Sequence, residues 1–398
     1  MLTTDEARAA ILEAMPEFPA EALPSSKVVG AILRQTVVAE RDQPPFDRVM
    51  MDGIAIRHSE LASGQREFPI QATQAAGDTS MTLEPGHCIE IMTGAALPER
   101  ADCIIPVERI AVAGRVATLE EGYEAQARQF IHARASDHAA GTALLSPGKR
   151  ISPMDTAIIA SAGVTDVAVS RTPVISIIAT GNELVEAGAP IQPHQIRLSN
   201  SPAMQAMLEQ HGYGAVTQEH LVDDVGQMRA RIESHLARAD VLILSGGVSM
   251  GKADFVPDVL ADLGVEVVFH RVSQRPGKPM WFGIGPQQQA VFALPGNPVS
   301  ALVCCRHYVI PALNSAAGAI EPLPEFASLA TDVTFEPRLT CFQPVRALSS
   351  AGAQILAMPV KTNTSGDFTA LSATDGYVEL AREQSHFPAG TVVMLHRW

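Results

Sequence analysis

Cysteine is scarce in this 398-residue chain. The five residues (Cys88, Cys103, Cys304, Cys305 and Cys341) are odd in number, and none stands in a C-x-x-C pair. This argues against a disulfide framework and against a four-thiolate zinc site. The expectation is buried small hydrophobes in a reducing compartment, the cytoplasm. Aromatics make up only 5%, too few for a base-stacking platform on single-stranded nucleic acid. Basic residues are also few: 29 Lys and Arg against 43 Asp and Glu, a net charge of −14. Such a balance offers no basic face to a nucleic-acid backbone. No run reaches the roughly 18 apolar residues that a membrane span needs. The start, MLTTDEARAAILEAM, lacks the basic and apolar regions of a signal peptide. What the chain does have is 46% hydrophobic residues and 18% charged ones, a composition that builds packed cores in about two to four domains.

Thr3 and Glu6 form a capping-box pattern ahead of Ala7, Ile11 and Leu12 at helical spacing. A second helical pattern covers Val29 to Val38. From Asp47 to about residue 139, short apolar runs are cut by Gly and Pro, which predicts a small all-β insert. Helical signals return at Pro153 to Ala162. From Arg171 to Gly318 the texture is different: β-branched runs at Val174–Ala179, Val241–Leu244, Val265–Phe269 and Val291–Leu294 alternate with helical segments. Alternation of that kind predicts a parallel, doubly wound sheet. The remainder, 319–398, reads as a second small β domain.

Ligands of open parallel sheets sit at the carboxyl ends of strands. Three of these strands run into turns rich in Gly: Thr180-Gly181-Asn182-Glu183, Ser245-Gly246-Gly247-Val248-Ser249, and Pro295-Gly296-Asn297-Pro298. Each offers free N–H groups, and the last two lead toward helix starts that favour anions. None is a Walker A loop or GxGxxG, and HExxH is also absent, which disfavours ordinary ATPases, dinucleotide dehydrogenases and zincins; Ser249, in its anion loop, suits hydrogen-bond donation rather than attack on a carbonyl. Arg271, Arg275 and Lys278 cluster around a Pro-Gly turn, a cation set suited to a phosphate or a tetrahedral oxyanion. Glu183, Asp223, Asp224 and Asp254 follow strand ends. Carboxylates there suit Mg²⁺ shared with substrate phosphates, although Asp224 equally suits a helix N-terminus.

Together these motifs resemble the molybdopterin molybdenumtransferase family, the MoeA proteins and the E domain of gephyrin. The resemblance runs through DQPPFDRVMMDGIAIR (Asp42–Arg57), MTGAALP with Thr93, ATGNEL, Ser199-Asn200, SGGVSMG with Asp254, RPGKP with Lys278, LPGNPVS with Ser300, and Ser365-Gly366. It implies a four-part protomer: a linker domain (1–44 and 140–170), a β-rich insert (45–139), a MoaB/MogA-like doubly wound α/β domain (171–318) and a C-terminal β-barrel (319–398). It also implies a homodimer, with each active site completed by Asp52 and Thr93 of the other copy. The implied reaction inserts molybdenum from molybdate into adenylylated molybdopterin and releases AMP, with Mg²⁺ required.

The resemblance also implies residue roles. Asp52, Thr93, Asp137, Glu183 and Asp223 fall at catalytic positions. Gly246, Gly247, Ser249, Pro295, Gly296, Asn297 and Pro298 would hold adenylyl-molybdopterin. Arg271, Arg275, Lys278, Ser300, Arg346 and Ser365 would hold molybdate, and Asp254 with Glu183 the Mg²⁺. Three departures stand out. Arg271 and Arg275 occupy positions where many members have lysine, Leu198 stands where Asp is common, and Arg346 lies two residues beyond the usual spacing from Phe342, so that Arg338 is an alternative. They leave a tungstate-preferring paralogue open. Molybdopterin adenylyltransferase activity and a non-catalytic scaffold or cofactor carrier are the competing functions. A molybdopterin adenylyltransferase and recipient molybdoenzymes are the expected further partners.

Overall fold

The structure is a computed structural model and describes residues 1–248, 255–336 and 338–398. The chain divides into two compact units. One comprises 1–35, 147–152 and 166–398; the other comprises 36–146 and 153–165.

The second unit is built on a six-stranded sheet. Its order is Cys103–Pro106, Gly53–Ile56, Cys88–Ile91, Glu67–Gln74, Val116–Leu119, Ile110–Ala113. Alternating residues of the central strands feed two small cores: Ile54, Ile56, Cys88 and Ile105 on one face, Ala55, Ile89, Ile91 and Ile104 on the other. Gly53 is required where two strands meet. A Cβ there would lie 1.9 Å from the Ile105 carbonyl oxygen, so no other residue can precede this strand without moving Asp52. A short antiparallel pair, Arg48–Val49 with Ile131–His132, sets Arg48 opposite His132.

In the first unit, the capped helix Thr4–Ala14 forms as its capping box predicts, with both reciprocal bonds made. The six-stranded sheet runs Val216–Leu221, Ile175–Thr180, Val241–Ser245, Ala290–Leu294, Trp281–Ile284, Glu266–His270. Successive residues of its strands face opposite ways. Ile177, Ile243 and Phe292 pack with Met204, Leu208 and Cys304, while Ile178, Leu242 and Val291 pack with Met228, Ile232 and Val259. The result is a three-layer, doubly wound domain. Its first four strands are parallel and in flush register, so Ala179, Ser245 and Leu294 are direct neighbours. All three Gly-containing turns therefore open at one edge.

Two sequence expectations need correction. Trp281–Ile284, not anticipated as a strand, runs antiparallel to both of its neighbours, Ala290–Leu294 and Glu266–His270. Only residues 271–280 join it to Glu266–His270, too few for the dozen or more of a parallel crossover. Residues 29–38 form no helix. Gly30 has φ +86°, Ile32 and Leu33 make isolated bridges to Arg150 and Val169, and Val37–Val38 is a strand. Buried Ile32 and Leu33 imitate an amphipathic stripe while serving extended backbone.

The C-terminal strands Thr340–Ser349, Ile355–Pro359, Glu325–Leu329, Val392–Arg397 and Gly376–Leu380 close into a five-stranded barrel, because the long first strand also pairs with the last. Gln274–Arg275 adds to that first strand in parallel, which ties the Pro-Gly turn of the α/β domain to the barrel. Among the described residues, no helix is long and apolar enough to cross a membrane.

Candidate functional site

The flush strand ends enclose a cleft of about 780 Å³. It is lined by Thr180, Gly181 and Glu183 from one turn, Ser245–Val248 from the next, and Pro295–Pro298 from the third, with Asp223 and Leu198–Asn200 at its sides. Asn200, at the start of the helix Asn200–Gln210, ties these turns together. Its Nδ2 donates to Ser245 Oγ at 2.9 Å and to the Gly296 carbonyl at 2.8 Å. Asn182 and Asp223 close the opposite side reciprocally: Asn182 N–H donates to Asp223 Oδ2 (3.3 Å), and Asp223 N–H to Asn182 Oδ1 (3.0 Å). Gly246 is required here. It has φ +102°, and a Cβ would fall 2.7 Å from the Thr180 carbonyl oxygen. Among the described residues, Thr180 Oγ1 and Asn200 Oδ1 are buried without a hydrogen-bond partner. Buried polar atoms are normally satisfied, so this cleft is prepared for a polar occupant.

A second cleft, of about 590 Å³, adjoins the first and shares Pro279, Pro295 and Asn297 with it. Arg275, Lys278, Ser300, Ser365 and Lys361 line it, with Glu336 as a carboxylate neighbour. Fully buried Gln274 fixes the Pro-Gly turn: its Nε2 donates to the Pro276 carbonyl at 3.1 Å, and its Oε1 accepts from the Tyr308 hydroxyl. Ser365 is locked onto the start of the helix Pro298–Cys304. Asn297 Nδ2 donates to its Oγ (2.8 Å), and Val299 N–H to its carbonyl (3.0 Å). Arg275 lies over the Phe335 ring, 5.7 Å from its centroid. Three cations, a hydroxyl pair and a helix start suit a small, highly charged oxyanion.

The structure thus brings together Glu183, Asp223, Gly246, Gly247 and Pro295–Pro298 in one cleft, and Arg275, Lys278, Ser300 and Ser365 in the next. Arg271 lines neither. It sits at φ +76°, with its N–H donating to the Met280 carbonyl. Arg346 lies on the barrel strand opposite Met358 and also lines neither cleft, nor does Arg338. Ser249 and Asp254 lie outside the described residues. Lys361 was missed, since a single lysine in a polar loop carries no pattern. Asn182 was quoted in its motif without a role, which its pairing with Asp223 now supplies.

Asp52, Thr93 and Asp137 belong to the other unit. Asp52 Oδ1 accepts from both Thr93 N–H (2.6 Å) and Thr93 Oγ1 (2.7 Å), and these two bonds hold the carboxyl below the ordinary carboxylate range. The carboxylate is exposed, fixed and ionised. Asp137 Oδ1 lies 3.0 Å from His132 Nε2, while His132 Nδ1 lies 3.1 Å from the Arg48 guanidinium. A guanidinium only donates, so Nδ1 accepts and Nε2–H points at Asp137.

Paired polar clefts at the strand ends of a doubly wound sheet, one with carboxylates and one with cations, define an α/β protein that handles phosphates and oxyanions. Comparison with known proteins narrows this. Residues 2–163 match the MoeA N-terminal region (domain I and II), 176–315 a probable molybdopterin binding domain, and 327–398 the MoeA C-terminal region (domain IV). A Synechocystis protein described as molybdopterin molybdenumtransferase is 40% identical over 371 residues, 93% of each chain. One from Staphylococcus aureus with the same description is 30% identical over 98% of this chain and 93% of its own. The crystal structure of a Pyrococcus horikoshii molybdopterin biosynthesis MoeA protein superposes with TM-score 0.84 at 27% identity, covering 100% of this chain and 99% of that one. The chain belongs to the MoeA family of molybdopterin molybdenumtransferases.

Proposed function

We propose that the adjoining clefts of this molybdenum-cofactor enzyme hold adenylylated molybdopterin and molybdate side by side, so that metal insertion and AMP release occur at one place. The observation that carries this reading is the shared wall of Pro279, Pro295 and Asn297 between the two clefts. The larger takes the phosphates on the N–H groups of Gly247 and Gly296, since Gly246 N–H already donates to the Leu294 carbonyl (3.1 Å). The smaller takes the molybdate dianion on Arg275, Lys278, Ser300 and Ser365, with Lys361 as an added cation. The nucleophilic sulfurs belong to the substrate, so the reaction asks no thiol of the protein. In keeping with this, all five cysteines are buried, and burial pushes Cys88 and Cys341 up to about 12. The chain's own residues position two anions and neutralise their charge, which is the main catalytic task in phosphoryl chemistry.

Glu183 and Asp223 give the larger cleft a hard-oxygen donor set, the set Mg²⁺ prefers. When bound, Mg²⁺ supplies charge neutralisation to the substrate phosphates. Glu183 would hold it, with Asp254 as the second carboxylate. The reading includes a homodimer in the cytoplasm, in which Asp52, Thr93 and Asp137 are presented to the cleft of the other copy. The pre-ordered, solvent-facing carboxylates of Asp52, held by Thr93, and of Asp137 support that role. An adenylyltransferase supplying substrate and molybdoenzymes receiving product complete it.

The test is AMP release from adenylyl-molybdopterin, titrated separately with molybdate and tungstate. Release that saturates with oxyanion and needs Mg²⁺ is expected. Release indifferent to both oxyanions, or pyrophosphate formation from molybdopterin and ATP, would overturn the reading. The ratio of the two half-saturating concentrations reports the oxyanion preference of the Arg275 site.

A further inference from the structure

Away from both clefts, the helix that begins at Pro298 changes character. It is α-helical over Pro298–Cys304, opens into a π turn over Cys305–Val309, and resumes as α-helix over Ile310–Ala316. Single π turns weaken the helix ladder and gather at functional positions. This one carries His307, which is 6% exposed. Beside it stand two side chains of adjacent barrel strands, Glu379 and His396, the latter in register with Tyr377. One ligand atom from each of His307, Glu379 and His396 lies within 4.8 Å of the other two. His396 Nε2 is 3.4 Å from Glu379 Oε2, yet it is buried without a hydrogen-bond partner. The pair has ionic distance but lacks donor geometry.

We propose that His307, Glu379 and His396 form a binding site for a divalent transition metal of the Zn²⁺ class, with the fourth position left to water. Two imidazoles and one carboxylate are a donor set such ions favour and Mg²⁺ does not. The surrounding contacts are those a metal site needs. The Tyr377 hydroxyl engages His307 Nδ1 at 3.1 Å, which leaves the second ring nitrogen for the ion. Thr4 Oγ1 donates to Glu379 Oε1 at 3.4 Å, which leaves Oε2. The Tyr377 ring stacks on His396 at 5.0 Å and 20°, fixing the plane of its imidazole. Tetrahedral ligands on bonds of about 2.1 Å stand about 3.4 Å apart. The His396–Glu379 edge already has that length, and the other edges lie within 4.8 Å. Arg8 is engaged by Glu321, and Arg306 by the Arg397 carbonyl; their charge weakens the site without occupying it.

The experiment uses the full chain, stripped with a chelator and dialysed. Zn²⁺ is titrated by calorimetry and Co²⁺ by visible absorption. One equivalent per chain is expected, with a tetrahedral Co²⁺ spectrum that Zn²⁺ abolishes and excess Mg²⁺ does not. His396→Ala and Glu379→Gln should lose that equivalent, Tyr377→Phe should weaken it about 10-fold, and His386→Ala, at an exposed histidine, should keep it. Absence of a saturable equivalent, or one that survives His396→Ala and Glu379→Gln in folded protein, overturns the proposal. Should those variants fail to fold, X-ray absorption of the Zn²⁺-loaded native chain decides: imidazole scattering supports the site, and a shell without it refutes it.

Discussion

Replacing Asn200 by Ala tests whether one side chain holds the turns at Ser245 and Gly296 in place. Both Nδ2 protons are used, one on Ser245 Oγ at 2.9 Å and one on the Gly296 carbonyl at 2.8 Å. Each bond contributes about 1 kcal/mol net, and Ser245, only 3% exposed, is left without its donor, so the local loss is about 2–3 kcal/mol. The helix Asn200–Gln210 keeps its packing through Met204 and Leu208, so the fold should survive. The two turns should drift apart, and misplacement by about 1 Å costs about 100-fold in rate. The assay is steady-state AMP release, with circular dichroism as the control for folding. The expected result is kcat/KM for adenylyl-molybdopterin reduced by about 10- to 100-fold, with half-saturation by molybdate little changed. Asn200→Asp keeps the volume but sets a carboxylate oxygen against the Gly296 carbonyl, and should be at least as damaging. An alanine variant within about two-fold of the parent in kcat/KM would refute the reasoning, because drift of the turns could not then be rate-determining.

Lys361→Ala should raise the molybdate concentration needed for half-maximal AMP release, whereas Arg346→Ala should leave it unchanged; the reverse pattern would return the oxyanion to the barrel strand. Thr93→Val removes one of the two bonds that lower Asp52. The carboxyl then returns toward its ordinary value, and the acid limb of the pH–rate profile should move to higher pH; an unmoved limb would separate Asp52 from the chemistry. Asp240 accepts from both Arg171 Nη atoms (2.9 and 2.7 Å) and from Val174 N–H (2.7 Å). Burial raises this carboxyl, and the Arg171 fork and the Val174 amide more than reverse the effect, so it titrates below the ordinary range. A depressed carboxylate stabilises the fold above its unfolded value of about 3.9 and loses that contribution as pH falls through the folded value. Asp240→Asn should therefore lower the urea midpoint at neutral pH, and the gap from the parent should shrink on acidification; a constant gap would show that the ion pair adds no stability.

Much of the fold was legible because the central strands of the α/β sheet are buried on both faces. Runs such as Val241–Leu244 have no polar alternation to confuse them, and two of the strands run into a Gly at left-handed φ, Gly181 at +145° and Gly246 at +102°. Residues 29–38 misled because an i, i+3, i+4 pattern is also what a bridge between irregular segments can bury. In the site, Arg275 and Lys278 were separable from Arg271 only once the buried Gln274–Tyr308 contact had fixed the turn's direction. Linear spacing does not encode that contact. Arg346 lies outside both clefts because its strand, Thr340–Ser349, pairs it with Met358, and linear spacing does not encode that cross-strand pairing either. Lys361 and the His307 π turn depend on the tertiary neighbours of single residues.

The flush register of the parallel strands makes their edge a ruler. With strands about 4.8 Å apart, the turns at Gly181, Gly246 and Pro295 stand in a row about 10 Å long. A molecule spanning the whole row is gripped at every mark, while a fragment touching one or two is held only in part. On the proposed reading, breaking the long substrate would loosen both pieces together, so that each product leaves with fewer contacts than the substrate brought.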